Sequence, residues 1–477
     1  MSDTRNRSIS FHNQAIPLIP TDPIKAYRLL CSAVVADPTM AVGWDTIGNS
    51  LADLKNSSGR LCLQAAISAY RRCLELPTGE TPGDLTPQVR VKAMVNLGHR
   101  LVNAGYIEEA ETVTREALAL LESDVSLDQE GHAFAWTNLS LSLSMQGRHD
   151  EAIAYATRAY EMSPEPIIET GLAFALLFGG DYESGLRHFD ARIAYRIPQF
   201  QAMPYDRWNG DRVDTLLVES DMGAGDTISF ARFIPAASKS VKKLVFRVQP
   251  DILRMMTLAL SGLRNVEVVP QSPVFPLADA WSPVMGLPTA LGLTTEQIKN
   301  HPQVWRMPPA RSDVPVGWKA PGRKLHVAIA YAGNPQNDID VHRTIPVTQF
   351  LSLYRVPGVQ LYSVQIGEPV KQLHDEGCAS LIRDMSPWIK DALDTVAILR
   401  EMDLVISCES FVAHLAAAAD LACWVPVWVY GGDWRIGRSG DHPLWYPNTL
   451  VFRQERDGDW TGTFGKMVEA LRERSRK

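Results

Sequence analysis

The stretch WTNLSLSLSMQGRHDEAIAYATRAYEMSP, residues 136–164, decides the reading of the first half of the chain. Its anchors Trp136, Leu139 and Leu143, then Ala152, Ala156 and Ala159, recur at helical spacing on either side of Gly147. Trp136 and Pro164 stand 28 positions apart, the offset that a two-helix repeat of about 34 residues places between its early aromatic and its closing proline. The three alanines let two helices approach closely. Pro164 has no amide to donate and ends the second helix.

Working outward, the same pattern returns at Trp44, Ile47, Gly48 and Leu51, then Ala66, Tyr70, Cys73 and Pro77, with an insertion at Lys55–Arg60. Another copy carries Leu97, Gly98, Leu101, Gly105, Ala110 and Ala117. Ala26, Leu30, Ala33 and Pro38 read as the second helix of a worn first repeat, and GGDYESGLRHF (179–189) as that of a last one. Thr78–Pro87 and Ser123–Gln129, rich in Thr, Pro, Gly, Asp and Ser, read as loops between units. These are tetratricopeptide (TPR) repeats by period. They predict an α-solenoid over 21–198 behind a tail at 1–20, with a concave face of the kind that holds a polypeptide.

Beyond residue 200 apolar runs of strand length alternate with helix-like stretches, the pattern of parallel α/β layers. Candidate strands are Thr215–Glu219, Lys243–Val248, Val266–Val269, His326–Tyr331, Gln360–Val364, Leu404–Ser407 and Val425–Tyr430, with helices starting near Asp226, Asp251, Thr348, Asp391 and Ser410. The Pro-rich His301–Gly322 separates two such groups. The expected division is a first Rossmann-like lobe at 199–305, a linker at 306–323 and a second lobe at 324–477.

Ligands of open parallel sheets bind beyond the carboxyl ends of strands, and two strand-to-helix corners stand out. In LLVESDMGAGDTISFARF (216–233), Gly223 and Gly225 are read as making a tight turn and Asp226 as opening a helix. In DLVISCESFVAHLAAAAD (403–420), Glu409 and Ser410 open a helix that carries His414 in its first turn. A helix N-terminus offers unpaired amides and positive dipole to a diphosphate. Simple capping by Asp226 or Ser410 is the alternative at each corner.

The blocks GAGDTISFARF (223–233), VAIAYAGNP (327–335), DVHRTIP (340–346), DTVAILREMDLVISCESFVAHLA (394–416) and DWRIGRSGDHPLWYPNTLVFRQ (433–454) occur in one order. In them the chain resembles bacterial TPR proteins whose C-terminal domain is similar to the heptosyltransferase class of GT-B glycosyltransferases. The resemblance implies a TPR α-solenoid followed by a compact GT-B-like pair of Rossmann-like lobes. It also implies a sugar transfer from a nucleotide-sugar donor, used as co-substrate without a cofactor. Asp226 falls where the family places a catalytic carboxylate. Glu409, Ser410 and His414 fall on its Asp-Thr-x-x-x-His signature, with Glu and Ser replacing Asp and Thr. Asn334 and Arg343 fall on donor-binding positions, as do Gly223 and Gly225 in a Gly-Ala-Gly-Asp that replaces Gly-Leu-Gly-Asp. Asp433, Trp434 and Arg435 match a late motif, in which Trp434 and Arg435 are candidates for packing at the donor site.

The remaining features set bounds. A formal net charge of −7 gives no basic footprint for nucleic acid. The start, MSDTRNRSISFHNQ, has no apolar run suited to a cleaved leader. The apolar Phe411–Tyr430 is broken by His414, Asp420 and Pro426, and reads as a buried helix and strand rather than a membrane span. The six cysteines lack zinc or disulfide spacing. Asp338 and Asp340 form a D-x-D too short to carry a metal assignment. The expectation is therefore a cytoplasmic, metal-independent glycosyltransferase whose acceptor is a polypeptide on the repeats; the alternative is a non-catalytic scaffold carrying a degenerate transferase-like domain.

Overall fold

The computed structural model describes the chain except residues 1–2, 56–61, 125, 128, 198–199, 303–317, 323–324, 337–339, 438–442, 444 and 477. Most of the expected linker, most of the Lys55–Arg60 insertion and Asp338 therefore lie outside the described residues. Two compact units are distinguished, one formed by the chain up to Ala175 and the other by the chain from Leu176 onward.

The first unit is built of antiparallel hairpins: α1 (Asp3–Ala15) with α2 (Pro23–Ala36), α3 (Ala41–Asp53) with α4 (Leu63–Leu74), α5 (Pro87–Asn103) with α6 (Ile107–Ser123), and α7 (Gln129–Met145) with α8 (His149–Met162). A further helix, α9, spans Pro166–Gly179. The sequence marks their ends. Asp22 and Thr86 accept hydrogen bonds from the amides of Lys25 and Val89 just before Pro23 and Pro87. Gly105 and Gly147, at φ 83° and 80°, make the turns inside two successive hairpins, where a side chain would be strained. The alanine stripe Ala152, Ala156 and Ala159 is buried as expected.

The expected tail is a helix. In α1 the buried Arg5 forms ion pairs with Asp37 and Asp84, and Ser8 Oγ donates to the Ala33 carbonyl at 2.8 Å. Polar residues carry that packing, which hides the helix from an apolar-periodicity reading. The expected last repeat also ends differently. The helix α10 (Tyr182–Phe189) packs in the second unit, where the Glu183 amide donates to Thr295 Oγ1 at 3.0 Å.

Among the described residues the second unit holds two sheets, parallel throughout. One has the order β1-β5-β2-β3-β4, from β1 (Asp206–Arg207), β2 (Val213–Glu219), β3 (Val241–Val248), β4 (Val266–Pro270) and β5 (Ala280–Pro283). The other has the order β11-β10-β9-β6-β7-β8, from β6 (Leu325–Ala330), β7 (Val359–Ser363), β8 (Arg383–Asp384), β9 (Leu404–Ser407), β10 (Cys423–Val427) and β11 (Thr449–Arg453). All seven expected strands are present within a few residues. The four missed ones are two-residue edge pairs, the short AWSP of β5, and β11. Phe411–Tyr430 resolves into a helix, Phe411–Ala418, and strand β10. Among the described residues no helix is long and apolar enough to cross a membrane.

Close helix approach in the repeats has a direct test. A Cβ on Gly48 would lie 2.6 Å from the buried Tyr70 ring, whereas one on Gly465, in the Thr461–Arg476 helix, would meet nothing within 4 Å. Gly48→Ala should destabilise the repeat unit by about 1–2 kcal/mol as overpacking outweighs helix propensity. Gly465→Ala should stabilise by about 0.5–1 kcal/mol. Denaturant midpoints followed by circular dichroism read both.

Candidate functional site

Both highlighted corners sit where the strand order of their sheet reverses. In the first sheet the chain leaves β2 for β3 and β4 on one side, then returns to β5 on the other. In the second it leaves β6 for β7 and β8, then returns to β9. Crevices open beyond the carboxyl ends of such strand pairs, because the two connections run to opposite faces of the sheet.

At the first corner the turn differs from expectation. The left-handed residue is Met222, at φ 59°, whereas Gly223 is extended and caps the Ala224–Phe230 helix. Asp226 is not the cap but the third helical residue, and its Oδ2 accepts from the Gly223 amide at 2.9 Å. Gly225 has a different reason to be glycine: a Cβ there would lie 2.7 Å from the His414 ring.

At the second corner Ser410 precedes the Phe411–Ala418 helix, but its hydroxyl makes no capping bond and lies 3.0 Å from Ser407 Oγ. The first amides of this helix are left without a side-chain cap. Glu409 is buried, and its Oε1 accepts from the Asp433 amide at 2.7 Å. Beyond β6, Asn334 is exposed, and Arg343 Nε donates to Asp340 Oδ1 at 2.8 Å. A Cβ on Gly333 would lie 2.7 Å from Arg343 Nη2, so that turn packs directly on the ion pair.

The two corners meet. Arg435 Nη2 donates to Asp226 Oδ1 at 2.6 Å and Arg435 Nε to Asp433 Oδ1 at 2.7 Å, so one buried guanidinium ties the loop after β10 to the helix after β2. Tyr446 Oη lies 2.9 Å from His414 Nδ1 and 2.5 Å from Ser229 Oγ. Trp434 is buried among aromatic rings, 5.3 Å from Tyr182 and 5.1 Å from Trp445 between centroids, and Arg435 lies over its ring. Ser229 and Tyr446 were not singled out from sequence. Both lie inside the quoted motif blocks, but only the tertiary meeting gives them a role. Among the described residues no group of three or more His, Cys, Asp or Glu side chains is placed to hold a metal ion.

The electrostatics follow from burial of charge. Burial alone would raise the Asp433 carboxyl, yet the Arg435 charge and hydrogen bonds hold it at about 2. Burial pushes the Tyr446 phenol up to about 12. Burial, reinforced by the Arg435 charge, lowers His414 from 6.5 to about 4, so the ring is neutral at pH 7. The unfolded chain then binds more protons than the folded one between about pH 4 and 6.5, and stability falls as pH drops through that window. His414→Gln should flatten the decline by about 1–3 kcal/mol between pH 7 and 4, read from urea unfolding at stepped pH.

Comparison with known proteins supports the repeat assignment. A family model described as Tetratricopeptide repeat matches residues 135–166. Protein FlbA of Caulobacter vibrioides (strain ATCC 19089 / CIP 103742 / CB 15) is 25% identical over 411 residues, which are 79% of this chain and 66% of FlbA. The chain thus spans about two thirds of the length of that relative. Among solved structures, MamA 41-end from Desulfovibrio magneticus RS-1 is 18% identical with a TM-score of 0.30, covering 43% of this chain and 99% of that one. PilW, titled a widely conserved type IV pilus biogenesis factor, is 16% identical with a TM-score of 0.34, covering 49% and 86%. With structural likenesses this distant, the repeat assignment rests on the family model and on the hairpins themselves: the chain carries tetratricopeptide repeats followed by a parallel-sheet α/β unit.

Proposed function

We propose that the protein moves a sugar from a nucleotide-sugar to a hydroxyl of a polypeptide held by its repeats. The observation that carries this reading is the meeting of the two switch-point corners, where the Ala224–Phe230 helix packs on the Phe411–Ala418 helix and Gly225 and Ser229 lie against His414, while Arg435 from the loop after β10 bonds to Asp226 beside them. The donor diphosphate would lie on the uncapped amides of that helix, with Ser410 as a hydroxyl donor and Arg343 and Arg435 as counter-charges. Asn334, at the end of β6, and Glu409 would border the nucleoside or sugar. The acceptor oxygen attacks the anomeric carbon, the bond from that carbon to the diphosphate oxygen breaks, and the hydroxyl proton passes to Asp226. No metal is required in this scheme, because the helix dipole and the guanidinium groups stabilise the leaving diphosphate.

Arg435 gives the scheme its moving part. Its Nη1 is buried with no hydrogen-bond partner among the described residues. A diphosphate would satisfy that nitrogen and draw the guanidinium from Asp226, freeing Oδ1 to accept a proton. The alternative, a scaffold with a degenerate transferase-like unit, is favoured by one observation: both Asp226 oxygens and Glu409 Oε1 are already engaged within the protein.

Calorimetric titration with uridine, guanosine and cytidine diphosphates, followed by sugar-release assays, separates the two. The transferase reading expects at least one diphosphate to bind. Asp226→Asn should retain that binding and lose about 100-fold or more of turnover, and His414→Gln should weaken donor binding. Absence of binding by any of these diphosphates leaves the scaffold, whereas full turnover in both variants overturns the assignment of the site to Asp226 and His414.

A further inference from the structure

The repeat unit contains a groove of about 340 Å³ between α5, α7 and the start of α9. One wall is basic, with Lys92, His99 and Arg100 spaced along α5. Another is apolar, formed by Phe134 and by Ile167, which is 38% exposed. On the floor, Asn138 Nδ2 donates to the Val95 carbonyl at 2.9 Å and its Oδ1 lies 3.2 Å from His99 Nδ1, which fixes the imidazole edge.

The charge balance of the groove is opposite to that of the chain. The whole sequence carries −7, yet no described residue lining the groove bears a carboxylate. The side chains of Lys92 and Arg100 form no ion pair among the described residues, and Arg100 Nε is buried without a hydrogen-bond partner there. Several arginines elsewhere in this unit are matched, Arg71 with Glu109, Arg115 and Arg148 with Glu111, and Arg5 with Asp37 and Asp84, whereas Arg100 is not. Asp45 on α3 feels the Lys92 charge from outside the lining, but it is buried, and burial raises its carboxyl. A guanidinium with a buried, unpaired nitrogen beside an ammonium is a standing deficit that an incoming carboxylate removes.

We infer that this groove selects an extended acidic polypeptide segment, its carboxylate seated between Lys92 and Arg100 and a neighbouring apolar side chain laid on Phe134 and Ile167. The inference deepens the reading that a polypeptide docks on the repeats, and rests on it. A groove of this size takes two or three side chains, so the selected feature is a short acidic-apolar cluster rather than a whole domain surface.

The test is selection of random dodecapeptides on the full-length protein, with fluorescence anisotropy on the winners. The wild type should enrich Asp and Glu next to Leu, Ile or Phe, and Asn or Gln at the acidic positions should weaken binding by about tenfold. Lys92→Arg/Arg100→Lys should keep the preference. Lys92→Glu/Arg100→Glu should reverse it and enrich Lys and Arg, a gain that misfolding cannot produce. No selected peptide, no acidic enrichment in the wild type, or the same acidic winners in the charge-reversed variant would overturn the inference. Nucleoside diphosphate titration of the wild type is a separate arm: acidic selection without nucleotide binding retains the groove and removes the transferase reading.

Discussion

A single buried guanidinium organises the α/β unit. Arg435 is withdrawn from water and must be compensated, because an unpaired charge at that depth would cost several kcal/mol. Compensation comes from Asp433 on its own loop and from Asp226 on the helix after β2, so satisfying the charge also ties the loop after β10 to the first switch-point corner. The close packing of Gly225 against His414 and the Ser229–Tyr446–His414 hydrogen bonds then have fixed partners. Breaking any one of these contacts leaves a buried polar group exposed to its neighbours' fields, so the cluster holds together as a unit.

The repeat unit follows a different logic. Its hairpins use small residues and glycine turns to bring helices close, and the buried Arg5 pairs secure α1. Its basic groove has no carboxylate in its described lining and keeps the Arg100 Nε buried without a hydrogen-bond partner among the described residues. In the proposed function the repeats supply recognition through such a groove, and the parallel sheets would supply the chemical site.

Much of this was legible in the chain. The 136–164 anchors announced the repeat, and the alternating apolar runs announced the strands, because both depend on local periodicity. Burial by polar residues escaped notice: α1 is held by Arg5 and Ser8, which no apolar pattern reveals. At the site, the sequence picked out Asp226, His414 and Arg435 but assigned Gly225 to a turn, whereas its missing side chain makes room for a ring 189 positions further on. Ser229 and Tyr446 were equally invisible, since only the approach of two distant corners gives either a partner. Of the capping alternatives, Asp226 does cap, from the third helical position by accepting from the Gly223 amide rather than as the N-cap residue, whereas the Ser410 hydroxyl turns to Ser407.

In the proposed function the two corners together form one diphosphate cradle. A crystal structure with a bound nucleoside diphosphate tests it most directly. Phosphate density is expected against the Phe411 and Val412 amides, with Arg435 rotated from Asp226 towards it. A nucleotide bound elsewhere, or the Asp226–Arg435 pair unchanged beneath a bound one, would contradict it.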